Sequence, residues 1–453
     1  MSLKNLLIVI LITFNLLISY SYSHTLSDKI TEILFSEKEI NKSLVGIKIY
    51  DLDKNKNLYS YNSNNYFIPA SNMKIITTLL ALEYLGKDFK FETKLKTDYF
   101  DKDFINNLYL ELSSDPLFSN KDLDNMIKSL KEKGINNIKG NLFIYNNKID
   151  NEVYGRGWMY DDLGECYSSQ VGKYIIDKNC LSIRITGDLN IETNNLVNFV
   201  TQPYEDDFKI FDFDIDNLNI IYGGKPIKNY YYEISINNPQ KYLEKVLLKK
   251  LDKYNINFNG KIFYRSDNKD YINLYTHKSI SLQEILKIFN KESDNLIGEI
   301  LLKTISHVVN KKEGNTEEAI NIAKNYIKNE FDFINFRIVD GSGLSRYNLL
   351  SPYIIIEVLK KIYFSEYKEI VFNAFPIGGL EGTLKNRLKN INKSFKVIAK
   401  SGSMTSVNCL SGYILSENKN IAFSIMINNS LKTSKELRDF QDKIIENIII
   451  NFL

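Results

Sequence analysis

Histidine and cysteine are scarce in this chain, with three of each among 453 residues. His24, His277 and His307 are scattered, so a Ser-His-Asp triad or a zinc hydrolase centre has almost nothing to be built from. Cys166, Cys180 and Cys409 fit no zinc spacing; two are close enough in sequence to pair, which leaves Cys409 over. No metal and no cofactor is expected. An excess of charge of one sign is also lacking: 58 basic residues against 55 acidic ones leave a net charge of +3. Without a basic concentration, no nucleic-acid partner is expected. Long apolar runs are missing too. The run from Leu6 to Ile18, after Lys4, is short for a membrane span. It is followed by "SYSYS", which suits a signal peptidase cutting after Ser21 or Ser23, so residues 1–23 read as an export signal. No cysteine stands there for a lipid anchor. The expected location is the bacterial periplasm, with at most peripheral membrane contact.

What is present is globular: 44% hydrophobic and 25% charged residues, at a length that calls for two or three domains. "LVGIKIYDLDKNKNLYSYN" alternates around a polar turn and reads as a β-hairpin. "SNMKIITTLLALEYLG" reads as a buried helix ending at Gly86. From about Lys90 the chain becomes rich in strands and turns. Two amphipathic helices interrupt it, one through Leu123, Met126, Ile127 and Leu130, the other starting at Asn238 and Pro239. After about Tyr271 come two consecutive helices around Ser293, Asp294 and Asn295, a helix near Thr316 to Lys328, the loop "DGSGLSRYN", and three strands including "FKVIAKSGSM". The last helix runs from Ser434; its mixed charges favour packing on a sheet over a membrane surface.

Ser71 and Lys74 stand three positions apart at a helix head, on one face, where their side chains can meet. A helix-capping serine is the alternative there. The same spacing recurs at Ser266/Lys269, Ser365/Lys368 and Ser416/Lys419, so it carries little alone. The chain order adds weight: Ser71-x-x-Lys74, then Ser293-Asp294-Asn295, then Lys400-Ser401-Gly402. S-x-x-K, S-D-N and K-T-G together form the set of class A β-lactamases and penicillin-binding proteins. A second S-D-N, at Ser266 to Asn268, ends a strand in a polar turn. Such a site needs no histidine. A lysine among other cations can take the serine proton, so Lys74 is the candidate base and Lys400 the second positive charge. In this scheme Lys400 lowers the Lys74 pKa and meets a substrate carboxylate. Ser293 relays the proton, Asn295 holds a substrate amide and Lys74, and the N–H groups of Ser71 and Ser403 form the oxyanion hole.

With "FIPASNMK", "SSDPLF", "GWMYDDLGECY", "NKESDNL", "DGSGLSR", "GGLEGTLKNR" and "AKSGSM", the sequence resembles the D-alanyl-D-alanine carboxypeptidase/endopeptidase family, the low-molecular-mass class C penicillin-binding proteins. Ser401 replaces the usual Thr and keeps its hydroxyl. The resemblance implies an α/β (α+β) fold: a β-lactamase/transpeptidase-like catalytic domain, an antiparallel sheet with helices, formed by residues 24–89 and 271–453. A β-rich insertion of two small domains is expected at 90–270. It implies a serine D,D-peptidase that acts on peptidoglycan stem peptides and is covalently inhibited by β-lactam antibiotics. End-trimming and cross-link cutting would share one acyl-enzyme. The family also implies a Cys166–Cys180 disulfide. It implies that Asp162 reaches into the catalytic cleft with Tyr167 beside it. Substrate contacts are expected also from Ser401, Gly402, Ser403 and Arg346, because an Asp can pair with the ammonium of meso-diaminopimelate and an Arg can grip its carboxylate. Two alternatives remain. A serine β-lactamase would need a deacylating base, for which Glu317 and Asn321 have the spacing, although Asn315 and Glu318 read there as a capping box. A non-catalytic envelope-binding protein of the same fold is the other.

Overall fold

The computed structural model describes residues 26–37, 40–186, 190–193, 195–224, 230–265 and 271–452. The expected export signal and the second S-D-N lie outside these residues.

Alternation along the chain builds the catalytic layers. Helix α1 (Leu26–Ser36) precedes the hairpin of β1 (Leu44–Asp51) and β2 (Lys56–Tyr61). Helix α2 (Met73–Leu85) follows, stopped by Gly86. After the insertion come α3 (Leu282–Lys291), α4 (Asn295–Asn310), α5 (Thr316–Phe331), α6 (Pro352–Tyr363) and α7 (Lys368–Ala374). Strands β3 (Lys396–Met404), β4 (Val407–Leu415) and β5 (Asn420–Asn428) precede α8 (Ser434–Phe452). The five strands form one antiparallel sheet in the order β3-β4-β5-β1-β2. In β5, Ile421, Phe423, Ile425 and Ile427 join one apolar cluster while Ala422 and Met426 join the other, as a strand period of two dictates. The first cluster takes α1 and α8. Leu437, Phe440, Ile444, Ile445, Ile448 and Ile449 of α8 are buried there, so the last helix packs on the sheet. The second cluster takes α2 to α6 on the opposite face. Among the described residues no helix is long and apolar enough to cross a membrane.

The intervening segment carries its own core, an apolar cluster running from Leu95 to Leu274. The helices Asn120–Glu132 and Pro239–Lys253 lie in it, capped by Ser119 and Asn238. Two sheets, of five and four strands, and two three-stranded sheets surround them. The expected return of the catalytic chain at 271 is displaced: Ile272–Lys278 pairs with Glu92–Thr97 and belongs to the insertion's five-stranded sheet. The two strands close the insertion where the chain enters and leaves it, and sequence alternation alone did not show which sheet the later one joins.

Cys166 and Cys180 form a disulfide, with Cα atoms 5.4 Å apart, and Cys409 is free and buried in β4. Closing a loop of this length constrains the unfolded chain. Replacing both cysteines by serine is expected to lower stability by about 3 kcal/mol, read from a denaturant midpoint. Thiol titration of unfolded, unreduced protein should count one thiol; three would contradict the bridge.

Candidate active site

The serine turn is held in an unusual shape from three sides. Pro69 leads into Ala70, whose φ of 46° is left-handed, and a 3-10 turn, Ala70–Asn72, runs into α2. Asn72 is fully buried and donates through Nδ2 to Ser411 Oγ at 2.7 Å, tying the turn to β4. Two glycines allow the neighbours to close in. A Cβ at Gly343 would lie 1.9 Å from the Ala70 carbonyl oxygen, and one at Gly402 would lie 2.8 Å from the Ser71 nitrogen. Gly402 therefore brings β3 directly against the Ser71 amide. Ser71 caps no helix with its side chain. Its hydroxyl instead accepts from Lys74 Nζ at 2.9 Å.

Lys74 has no exposed surface, and its ammonium also donates to Asn295 Oδ1 at 2.6 Å and to the Ser342 carbonyl at 2.7 Å. Burial pushes its pKa down to about 8, against the upward pull of Asp340, Asp294 and Glu299. Lys400 is equally buried and donates to Ser293 Oγ at 3.0 Å and to the Ser401 carbonyl at 2.7 Å. Its pKa is well below the ordinary value, through burial first and the charge of Lys74 second. The two buried ammoniums repel each other, and Asp340, Asp294 and Glu299 oppose that repulsion at Lys74. Lys400 has no exposed surface and does not line the cleft; Ser293, which accepts from its ammonium, does. Ser293 sits at φ 61°, between α3 and α4. Ser401 Oγ lies 2.7 Å from Thr383 Oγ1, and Ser403 Oγ accepts from Asn408 Nδ2 at 2.9 Å.

A cleft of about 490 Å³ opens on Ser71, and Ser293, Asn295, Ser403 and Arg346 line it from the catalytic side. Met159, Asp161, Asp162 and Tyr167 line it from the insertion. The two charged residues singled out for substrate reading, Asp162 and Arg346, therefore line the same cleft as the serine although they lie far apart in sequence. The Tyr167 hydroxyl donates to Asp162 Oδ1 at 2.9 Å, and its pKa is pushed up to about 12 by desolvation and then by that carboxylate. Arg346 donates through Nη2 to the Thr405 carbonyl at 3.2 Å, while its Nε is buried without a partner. Neither described histidine lines the cleft. His307 Nδ1 lies 2.6 Å from the Lys312 carbonyl oxygen at the end of α4.

Three supporting residues escaped the sequence reading. Glu299 is buried one turn after Asn295 and accepts from the Gly341 and Ser342 amides at 3.1 and 2.8 Å, so it holds the carbonyl that receives Lys74. Asp340 accepts from Gly343 N, Asn348 Nδ2 and Trp158 Nε1, which pins the loop and fastens the insertion to it. Lys303, one turn beyond Glu299, donates to Asp150 Oδ1 and to the Glu152 and Val171 carbonyls of the insertion. The signal was in "NLIGEILLKTI", where Glu299 and Lys303 are isolated charges in an apolar run. Glu317 and Asn321, considered as parts of a deacylating site, are exposed on α5 and do not line the cleft. Asn315 accepts from the Glu318 amide at 2.9 Å, as a helix cap.

Fold and site together define a serine hydrolase that dispenses with histidine. Residues 26–448 match the model of the D-Ala-D-Ala carboxypeptidase 3 (S13) family, and the chain belongs to that family. It is 26% identical over 435 residues to D-alanyl-D-alanine carboxypeptidase DacB of Haemophilus influenzae, covering 91% of each chain. It is also 26% identical to penicillin-sensitive carboxypeptidase A of Dictyostelium discoideum, over 86% of this chain and 83% of that one. The crystal structure of penicillin binding protein 4 (dacB) from Haemophilus influenzae superposes with a TM-score of 0.80 at 25% identity. It covers 93% of this chain and 99% of its own.

Proposed function

We propose that the protein is a serine D,D-peptidase that cleaves the D-Ala-D-Ala bond, or the matching cross-link, of peptidoglycan stem peptides through an acyl-enzyme on Ser71. One observation carries this reading: a fully buried lysine, its pKa lowered to about 8 by burial, donates to the hydroxyl of a partly exposed serine that opens on a cleft. Neutral Lys74 takes the Ser71 proton as Oγ attacks the D-alanyl carbonyl, and the amides of Ser71 and Ser403 receive the oxyanion. Ser293, linked to Lys400, carries a proton to the leaving amine. The substrate's terminal carboxylate is met by the Ser401 and Thr383 hydroxyls, with the Lys400 charge behind them. Penicillin enters the same step as a substrate mimic and stays on Ser71, since no carboxylate base for rapid hydrolysis stands at Glu317. The disulfide fits an oxidising compartment such as the periplasm. Incubation with pentapeptide muropeptides should release D-alanine, and prior fluorescent penicillin should block that release. A preparation that does neither would leave the non-catalytic binding protein as the better reading.

The position of Asp162 and Arg346 on one cleft supports a preference for free meso-diaminopimelate over lysine-type peptides, because only the former offers an ammonium and a carboxylate together. Asp162→Ala is expected to lower kcat/KM for such peptides about tenfold or more, consistent with about 1.5 to 3 kcal/mol for a charged hydrogen bond, while penicillin acylation changes little. Equal losses for both would assign Asp162 to the fold.

A further inference from the structure

The disulfide-closed loop of the insertion contains three consecutive left-handed residues, none of them glycine: Asp177, Lys178 and Asn179, with φ of 52°, 55° and 52°. Each costs free energy in an L-residue, so a run of three persists only where its surroundings enforce it. Here they do. Asp177 accepts from the Asn120 amide at 2.9 Å and from the Tyr242 hydroxyl at 3.0 Å. Asn179 is buried and donates to the Gln170 and Tyr174 carbonyls at 2.9 and 3.0 Å, and Ser169 Oγ donates to the Lys178 carbonyl at 3.0 Å. The next residue is the disulfide's Cys180. What this turn presents is the Lys178 side chain. Its ammonium lies 2.8 Å from Asp294 Oδ2 and 3.2 Å from Glu292 Oε2, the two acids flanking Ser293. Ser293 is itself left-handed, and Asp294 at the same time caps α4 by accepting from the Ile297 amide at 3.0 Å. From the same loop, the Tyr167 carbonyl accepts from Asn295 Nδ2 at 2.8 Å.

Resting on the peptidase reading above, we propose that Lys178 is a positioning residue for the reaction: it bridges the acids on either side of Ser293 and so holds the strained turn that presents that hydroxyl to Lys400. The insertion is then part of the proton path's support, besides being a wall for substrate. The Glu292 pair is exposed, and Asp294, though only 10% exposed, keeps its bond from the Ile297 amide when the ammonium is removed, so the loss is expected in the rate and not in the melting temperature.

The test separates the charge from the backbone. Lys178→Gly keeps the left-handed turn without strain and removes the ammonium. Lys178→Met keeps the stem and gives the same reading should the glycine variant fold poorly. For both, the fluorescent-penicillin acylation rate and kcat for D-alanine release should fall about fivefold or more, with KM within about twofold and an unchanged Tm. Lys178→Arg should restore at least half of the rate. Acylation of the Gly and Met variants within about twofold of wild type overturns the proposal, as does an Arg variant as slow as they are, or a loss that follows Tm. Wild-type protein that takes no label at all overturns the peptidase reading and this inference with it.

Discussion

Ser71→Ala is expected to abolish both covalent penicillin labelling and D-alanine release, with turnover down by roughly 10⁴-fold or more. The substitution removes one oxygen from a turn fixed by Asn72, Gly343 and Gly402, none of which depends on the hydroxyl. The variant should therefore fold, and the loss should be chemical. Mass spectrometry of penicillin-treated wild type should find the adduct on the peptide carrying Ser71. Labelling at full strength in the alanine variant would place the nucleophile elsewhere, and no other described Ser-x-x-Lys pair offers an alternative. Ser416 Oγ is spent on the Lys419 carbonyl, and Ser365 Oγ donates to the Ile362 carbonyl.

Lys74→Ala should cost nearly as much, about 10²- to 10⁴-fold in acylation, the usual range for a lost general base. The pH profile gives an independent reading. Burial lowers the lysine to about 8, and only its neutral form can take the serine proton. The neutral fraction rises from about a tenth at pH 7 to about nine tenths at pH 9, so the acylation rate should climb through that interval and flatten above it. The sign follows from burial, which disfavours the charged state. A rate that is flat from pH 6 to 9, or that falls as pH rises, would exclude Lys74 as the base. Because Glu299 is itself pushed up to about 7, by burial first and then by the charge of Asp340, the lower limb should be broader than that of a single group.

The hairpin, the serine helix, the paired helices around Ser293 and the last three strands were all legible, because each buries one face and repeats at its own period. The candidate catalytic set came from the chain order of three short motifs, and the fold brings Ser71, Lys74 and Asn295 together and Ser293 against Lys400. Lys178 escaped because its partners are supplied by another part of the chain, and Asp340 because its role lies in the fold of its own loop and in a bond from Trp158. Nothing local distinguishes Lys178 from the chain's many solvated lysines. The destination of Ile272–Lys278 escaped because alternation marks a strand without naming its neighbour. For Lys400, motif order gives proximity to Ser293, and only packing shows that the ammonium is fully covered.

The catalytic sheet joins the two ends of the chain, and that sets the order in which the enzyme can assemble. β1 pairs along its whole length with β5, from Leu44 opposite Asn428 to Asp51 opposite Ile421. Until the last strands have been delivered, the first hairpin has no partner on its inner edge, while the insertion already holds its own helices and sheets. Closing so long a loop is slow by entropy alone. A chain emerging from its amino terminus thus stays open, and Ser71 meets Lys400 only after nearly the whole polypeptide is out. A copy that stops before β3 lacks Lys400 and cannot complete the site.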